Sequence, residues 1–553
     1  MRIRVRILER STAFFIAWRE TSFTPFSIPL FRALWIAALC SNIVAVIQTV
    51  GASWTMILLN PSPRMVTLVP AAAMLPMVLL ALPAGALADV ADRRRIMLLS
   101  QVFGACAAAL LSLLAFTHHL TPWVLLALTA AVGTSVATHQ PAWQASLGDF
   151  MPRKDLPAAV SLNVLAFNTA RSIGPAIGGI IIATLGATAT FFTNALSFFG
   201  LIVVLATRRL PRTQHRHPPE PMLAAMTAGV RFVSLSPQLK RIFLRGALFG
   251  LGASALQSLL PLMARSHLGG GPIVYGALVG ALGFGSFIGA ILATHVRANI
   301  GANRLLAWAT VVYALATMVV ALSTHLLASI PFAFIAGIAW ISVLTTTRTS
   351  VQLSCPRWVV GRAVSLGQVA SFGCMAAGSA GWGFLASVAG LTPSLLIAAA
   401  FLLLTMCLHR VAPLPLIATD ESAYPSPTPI RTPRLTIDHG AGPILIVIEY
   451  SVPNHSKEEF VTLLHELGRA RRRNGAAQWS IQQDIDRPDV WHEHIKSATW
   501  LDHLRRLDRY TASERALAAR AATFRTSADL PVRRLLASSD WITPLTTMDR
   551  KAN

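Results

Sequence analysis

The feature that most constrains this chain is a recurrence of apolar runs. Between residues 31 and 411, stretches of about 20 apolar residues, the length that crosses a bilayer core, alternate with short polar breaks. The acids there are Asp89, Asp92, Asp149, Asp155 and Glu220 alone. Such a stretch has no polar face to give to water, and in lipid a backbone satisfies its own hydrogen bonds as helices. The runs predict spans at about 32–58, 65–88, 95–117, 122–146, 157–185, 188–207, 241–265, 273–296, 303–323, 326–348, 360–388 and 391–410. The expected fold class is therefore an all-α membrane protein of twelve helices.

Charge sets the expected orientation. The formal net charge of +23 would suggest a nucleic-acid partner if it lay on a soluble face. It does not: residues 1–415 hold 28 Lys+Arg against 7 Asp+Glu, whereas 416–553 hold 19 against 17. The surplus follows the apolar part, where basic residues crowd one set of loops and leave only Arg64 and Arg265 beside the other set. Under the positive-inside rule both termini are expected in the cytoplasm, and no nucleic-acid partner is expected. Residues 1–28, with Arg2, Arg4, Arg6, Arg10 and Arg19 and no long apolar core, read as a basic cytoplasmic leader or an over-called start rather than a cleaved signal. Cys40, Cys106, Cys355, Cys374 and Cys407 show no ligand-like spacing, so neither a disulfide frame nor a metal site is expected, and no cofactor is implied. No GxxxxGK[ST] pattern occurs, which excludes an ATP-driven pump built from this chain by itself.

The apolar region repeats itself at an offset of 204 residues. Gly85 pairs with Gly289, Arg93 with Arg297, Gly133 with Gly337 and Pro152 with Pro356; Ala159-Val160-Ser161-Leu162 recurs as Ala363-Val364-Ser365-Leu366; and Gly174, Gly179 and Gly186 recur as Gly378, Gly383 and Gly390. Two parallel six-helix halves, 29–207 and 241–411, joined by a basic loop at 208–240, imply one substrate path between them.

With these features the chain resembles the major facilitator superfamily. Gly85-Ala86-Leu87-Ala88-Asp89-Val90-Ala91-Asp92-Arg93-Arg94-Arg95 is similar to that superfamily's signature loop, with Val90 and Asp92 as departures. Asn42, Gln48 and Trp54, the run Asn168 to Gly179, and an appended soluble domain resemble the bacterial enterobactin-exporter-like branch. The resemblance implies a secondary exporter of a small amphipathic organic compound, a siderophore, drug or secondary metabolite, working by alternating access in a bacterial inner membrane in exchange for protons.

Candidate functional residues follow. Gly85, Asp89, Arg93 and Arg94 form the expected gating loop, with Asp89 meeting the start of the eleventh span; the plainer alternative is that the arginines only fix topology. Arg171, Gly174, Pro175, Gly178 and Gly179 form an antiporter-like helix, thin and bent. Arg171 sits midway along an apolar span, where it either faces the cavity or bonds helix-end carbonyls. Arg245 would snorkel to the interface. The spans that face the cavity in the superfamily supply Asn42, Gln48, Trp54, His139, Gln140, Trp143, Gln257 and Trp340, and Asn168 lies one turn before Arg171. Proton coupling lacks a membrane-centre carboxylate, which leaves His139 as the titratable candidate.

Beyond a Pro-rich linker at 412–443, residues 444–540 carry a strand at Ile444–Tyr450, a helix at Lys457–Arg473, strands at Ala476–Asp484 and Val490–Ser497, a helix at Trp500–Phe524 and a last strand at Val532–Ser538. That order resembles the ferredoxin-like fold of antibiotic-biosynthesis monooxygenases, which implies dimerisation. Trp479, Trp491 and Trp500 are expected in the core or on a dimer face, and the Arg469–Arg473 cluster on a solvated face or against anionic lipid. The competing function is a membrane-tethered sensor or monooxygenase-like enzyme acting through this domain.

Overall fold

A computed structural model of the chain describes residues 24–60, 62–152, 155–208, 222–356, 358–414, 435, 437–525 and 532–537. The leader up to residue 23 and the linker residues 415–434 and 436 lie outside these. Among the described residues, twelve helices are long and apolar enough to cross a membrane. In chain order the helices are α1 (Pro29–Leu59), α2 (Pro63–Val90), α3 (Arg93–Phe116), α4 (Pro122–Phe150), α5 (Leu156–Leu185), α6 (Ala187–Thr207), the short α7 (Met222–Ser234), and α8 (Pro237–Leu262), which runs on through a π-helical turn at Met263–His267. They continue with α9 (Pro272–Ile300), α10 (Ala302–Leu322), α11 (Leu326–Leu353), α12 (Val360–Ala389) and α13 (Leu391–Thr405). All twelve expected spans appear within a few residues of their expected ends.

Local chemistry explains the boundaries. Proline in the first turn opens α1, α2, α4, α5 and α9, where its missing N–H costs nothing. Asp92 caps α3 by accepting from the backbone N–H of Arg94 (3.0 Å) and Arg95 (3.4 Å). Gly186 and Gly390 turn the chain from α5 into α6 and from α12 into α13 in a single residue, at φ +82° and +90°, a backbone region that side chains with a Cβ rarely enter. Leucines and phenylalanines such as Leu99, Phe116 and Leu327 stay exposed on the outside of the bundle, the surface that acyl chains cover.

The 208–240 connection departs from the expected loop, because α7 lies within it. Its 13 residues are too few to cross a bilayer, yet Ala228 and Phe232 are buried.

The C-terminal part contains β1 (Ile444–Ser451), α14 (Lys457–Asn474), β2 (Gln478–Gln483), β3 (Val490–Ser497), α15 (Trp500–Asp508), α16 (Ala512–Ala522) and β4 (Arg533–Leu536). The sheet order is β2-β3-β1-β4, antiparallel throughout, with Ile446 opposite Ile495 and Tyr450 opposite Trp491. This is the split βαβ arrangement of a ferredoxin-like fold. The single helix expected at 500–524 is two, because Thr511 and Glu514 form a capping box that starts a new helix: Thr511 Oγ1 accepts from the Glu514 N–H (3.3 Å) and Glu514 Oε2 from the Thr511 N–H (3.0 Å).

One sheet face packs on the helices through Ile446, Tyr450, Phe460, Leu464, Leu467, Trp491 and Trp500, with Trp479 packed against it, so all three tryptophans serve this core. A charged cluster is buried beside it. The Glu493 carboxylate accepts from the Tyr450 hydroxyl (2.9 Å), Arg471 Nε (3.2 Å) and Trp479 Nε1 (2.8 Å). Tyr510 Oη accepts from both Arg471 and Arg506, and Arg506 Nη2 lies 3.0 Å from His503 Nδ1. Burial, reinforced by Arg506, Arg534 and Arg471, pushes the His503 pKa down to about 3. Burial and the Glu493 charge raise the Tyr450 hydroxyl well above its ordinary value. Arg471 is held protonated: burial opposes its charge, but Tyr510 and Glu493 outweigh that.

Chain contacts divide the molecule into two compact units. One is the membrane body; the other joins the C-terminal domain to two short stretches from between spans, Thr227–Lys240 and Gln352–Ala363.

Two predictions follow from the C-terminal core. Glu493→Leu strands the buried Arg471 guanidinium and should destabilise the domain by about 3–5 kcal/mol, measured by urea denaturation. As pH falls, unfolded His503 takes up a proton near 6.5 and folded His503 only near 3. Its contribution is therefore complete above pH 6.5 and declines as pH drops towards 3. His503→Gln should flatten that part of the stability profile relative to wild type.

Candidate functional site

The two halves meet along the end of the bundle at which α5 gives way to α6 and α12 to α13. There Gly179 of α5 lies so close to α9 that an added Cβ would sit 2.8 Å from the Pro272 carbonyl oxygen and 2.9 Å from Gly276 Cα. The partner at the 204-residue offset, Gly383 of α12, meets α2 in the same way, with Thr67 Oγ1 and the Pro63 carbonyl in its path. Around these crossings Trp54 stacks on Tyr275 with ring centroids 6.3 Å apart, Arg265 Nη1 donates to the Ile57 carbonyl (3.0 Å), and Arg64 Nε donates to Ser387 Oγ (2.8 Å) while lying over the Phe384 ring. Midway along the bundle, Pro175 lacks the N–H that would bond the Arg171 carbonyl in an unbroken helix, and Gly283 of α9 packs directly on that oxygen. The other antiporter-like glycines face inward to their own half: Gly174 meets Ile43 and Val46, and Gly178 meets Ile47 and Val50, all on α1.

Arg171 is half-buried, with its guanidinium carbon 5.8 Å from the Phe167 ring centroid, and Asn168 is buried one turn earlier. At the opposite end of the bundle Gly85 has open space, with nothing within 4 Å of an added Cβ, so in this conformation tight packing is not what that glycine provides. The Asp89 side chain lies outside the described residues. Arg93 Nη1 donates to the Ala145 carbonyl of α4 (2.8 Å), and Arg94 donates to the Leu205 (2.6 Å) and Ala206 (2.8 Å) carbonyls, so Arg94 engages helix-end carbonyls of α6.

The residues expected to line a cavity separate into groups. Gln48 bonds Asn194 of α6, and Trp143 Nε1 donates to Asn163 Oδ1 (3.2 Å) within the first half's core. Trp340 is buried in the second half against Phe249 and Tyr313, at centroid distances of 5.7 and 6.2 Å. Gln48 and Trp143 bond other helices of their own half, Trp340 packs within its half with Nε1 buried and without a partner, and Trp54 contacts the opposite half. Asn42, His139, Gln140 and Gln257 are half-buried. Two of them carry a buried polar atom without a partner, His139 Nδ1 and Gln257 Nε2. The same holds for Gln101 Oε1, Thr129 Oγ1, Thr346 Oγ1 and Thr347 Oγ1, which were not expected from sequence. An unsatisfied polar atom in an apolar span is costly unless water or a ligand reaches it. Arg245 does not snorkel: it is buried and bonds Asn303 Oδ1, which also accepts from the Leu414 N–H (3.2 Å).

Arg64, Arg265, Tyr275 and Ser387 were missing from the expected site. A signal existed for the two arginines, since they are the cations that stand apart from the charge bias.

Replacing Gly179 or Gly383 by Val should keep the seal from closing. Purified protein is expected at wild-type level, with a cysteine pair at 64 and 387 no longer cross-linking and any solute flux reduced at least tenfold.

Comparison with known proteins places this geometry. The transmembrane secretion effector family model matches residues 20–540. The chain is 25% identical to the staphyloferrin A transporter of Staphylococcus aureus over 41% of this chain and 57% of that protein. It is 26% identical to the multidrug efflux pump Tap of Mycobacterium tuberculosis over 58% and 78%, and 28% identical to the enterobactin exporter EntS of Citrobacter koseri over 50% and 66%. The match to the staphyloferrin A transporter thus spans little more than half of that relative's length. Among solved structures, a bacterial homologue of the human lysosomal transporter Spinster superposes with a TM-score of 0.57 at 17% identity, covering 70% of this chain and 97% of that one. The nucleoside transporter NupG gives 0.55 at 13%, covering 69% and 98%. The fold is that of the major facilitators, and the chain belongs to the transmembrane secretion effector family.

Proposed function

We propose that this protein is a secondary active exporter of a small amphipathic organic compound, working by alternating access in a bacterial plasma membrane with both termini in the cytoplasm. The observation that carries the reading is the pair of glycine crossings at equivalent positions of the two halves, Gly179 on α9 and Gly383 on α2, which seal one end of the bundle. A seal made of small-residue contacts and a few hydrogen bonds can open by rocking one half against the other without unfolding a helix. The opposite end bears the basic surplus, so the sealed end is the outer one.

In this reading the substrate meets the polar atoms left unpartnered in α4 and α8, His139 Nδ1 and Gln257 Nε2, together with Asn42, Gln140 and Arg171. Amides beside apolar walls suit a compound that is partly apolar and partly hydrogen-bonding. The names of the relatives, a staphyloferrin A transporter, an enterobactin exporter and a multidrug efflux pump, support a siderophore, drug or similar metabolite as cargo. Asp89 serves as the inner gate. The driving force is proton exchange, and His139 is the titratable group in a span placed to take part. The C-terminal domain is a non-catalytic appendage in this proposal, because Glu493 and Arg471 are fully engaged with one another and with tyrosines. Pairing of two copies through that domain belongs to the same proposal, and light scattering of the purified protein measures it.

Cells lacking the protein should accumulate the compound made or encountered by the host. Wild type should relieve the accumulation, and Arg171→Ala should restore less than a tenth of the rate at normal protein level. Uncoupling the proton gradient should stop export in wild type; export that persists would reject proton exchange.

A further inference from the structure

The second compact unit contains more than the C-terminal domain. The end of α7 and the connection between α11 and α12 are folded into it, and the contacts are specific. Phe232 of α7 and Trp358 of the connection pack edge to face, with ring centroids 5.5 Å apart. Two arginines of the C-terminal domain close over these rings. The Arg509 guanidinium carbon lies 4.2 Å from the Trp358 centroid, and that of Arg473 lies 5.3 Å from the Phe232 centroid. Both arginines are aimed from behind: Arg509 Nη1 donates to the Asn474 carbonyl (3.2 Å), and Arg473 Nη2 bonds Glu514 Oε1 (2.5 Å). Asn474 Nδ2 also reaches Glu514, at 2.7 Å to Oε2, so the end of α14 and the start of α16 form one platform. Gly229 of α7 packs against the Arg362 stem, where an added Cβ would approach to 3.0 Å. The Arg469–Arg473 cluster is thereby largely accounted for without lipid: Arg471 binds Glu493, Arg472 lies over Trp479, and Arg473 over Phe232.

We propose that the C-terminal domain is an intramolecular clamp, in which Arg473 and Arg509 grip Phe232 and Trp358 and thereby restrain the connection that leads into α12. The restraint reaches transport through the chain itself. Residue 358 lies two positions before α12, the helix whose Gly383 closes on α2, and α7 leads into α8 across Leu235 and Ser236. Alternating access requires α12 to change its position relative to the first half, and a clamp on the residues just ahead of its first turn opposes that change. Two cation–π contacts are the right strength for such a device, since each is modest and broken without unfolding. Coupling energies between sites in proteins commonly correspond to about 5- to 150-fold shifts in a two-state equilibrium. The clamp is autoinhibitory, and a ligand or partner that draws the domain away would release it.

This inference rests on the export reading for its functional consequence but not for its structural one, and the test separates them. In full-length protein in nanodiscs, Arg473→Ala/Arg509→Ala and Trp358→Leu should each raise hydrogen exchange in 227–234 and 352–363, with Trp358→Phe matching wild type because it keeps a ring face. In proteoliposomes the same releasing variants should raise turnover about fivefold with half-saturation unchanged. A Trp358→Cys/Arg509→Cys pair should cross-link, stop transport when oxidised and recover with reductant. Unchanged exchange in the releasing variants would overturn the clamp. Exchange that rises while turnover stays the same or falls, or a cross-linked protein that transports normally, would overturn its inhibitory role. Wild-type protein that moves no solute while exchange behaves as expected would reject the export reading and leave the clamp standing.

Discussion

Close approach of helix backbones is the interaction on which the membrane body depends. Inside a bilayer, apolar side chains gain nothing by leaving lipid for another helix, so association rests on van der Waals contact and on the few hydrogen bonds that helices exchange. The crossing of α5 and α9 shows how far this goes. Pro175 frees the Arg171 carbonyl, Gly283 fills the space against it, and Gly179 and Gly276 bring the backbones together a little farther along. No larger residue fits at these points without moving a helix. The halves are joined mainly where side chains are absent.

The repeat at 204 residues gives this arrangement its symmetry. Gly133 lies against the Ala73 carbonyl of α2, as Gly337 lies against the Leu282 carbonyl of α9, each seating the fourth helix of its half on the second. Gly174 meets α1 and Gly378 meets α8, the first helix of each half. Gly179 and Gly383 cross to the opposite half. These three pairs of glycines each perform one task twice, whereas the pair from the signature loop has diverged: Gly85 has open space and Gly289 packs on Ile338 and Ile341 of α11.

Legibility in the sequence follows from the same physics. The spans were readable because length and polarity report directly on bilayer thickness, and the C-terminal element order was readable because its alternation and capping residues act locally. The Thr511–Glu514 capping box was also visible, but the apolar period on either side masked it. Side-chain direction around a span was not readable: when every face is apolar, periodicity does not say whether Trp143, Trp340 or Gln48 looks inward, outward or sideways. Each of the three makes its contacts within its own half. Arg64 and Arg265 were noticed as exceptions to a charge rule, and only the tertiary structure shows that each bonds the other half. The role of α7 was hidden for a related reason, since its buried positions are covered by residues more than a hundred positions away.

The one-residue turns at Gly186, Gly301 and Gly390 bear on how the protein is built. A single residue spans at most about 3.6 Å, far less than the bilayer. Once both helices of such a pair are formed, the end of α5 therefore stays within a few ångströms of the start of α6, and the same is true of α9 with α10 and of α12 with α13. Neither helix can shift along the membrane normal without carrying the adjoining end of its neighbour, so these six helices move across the bilayer axis as three pairs.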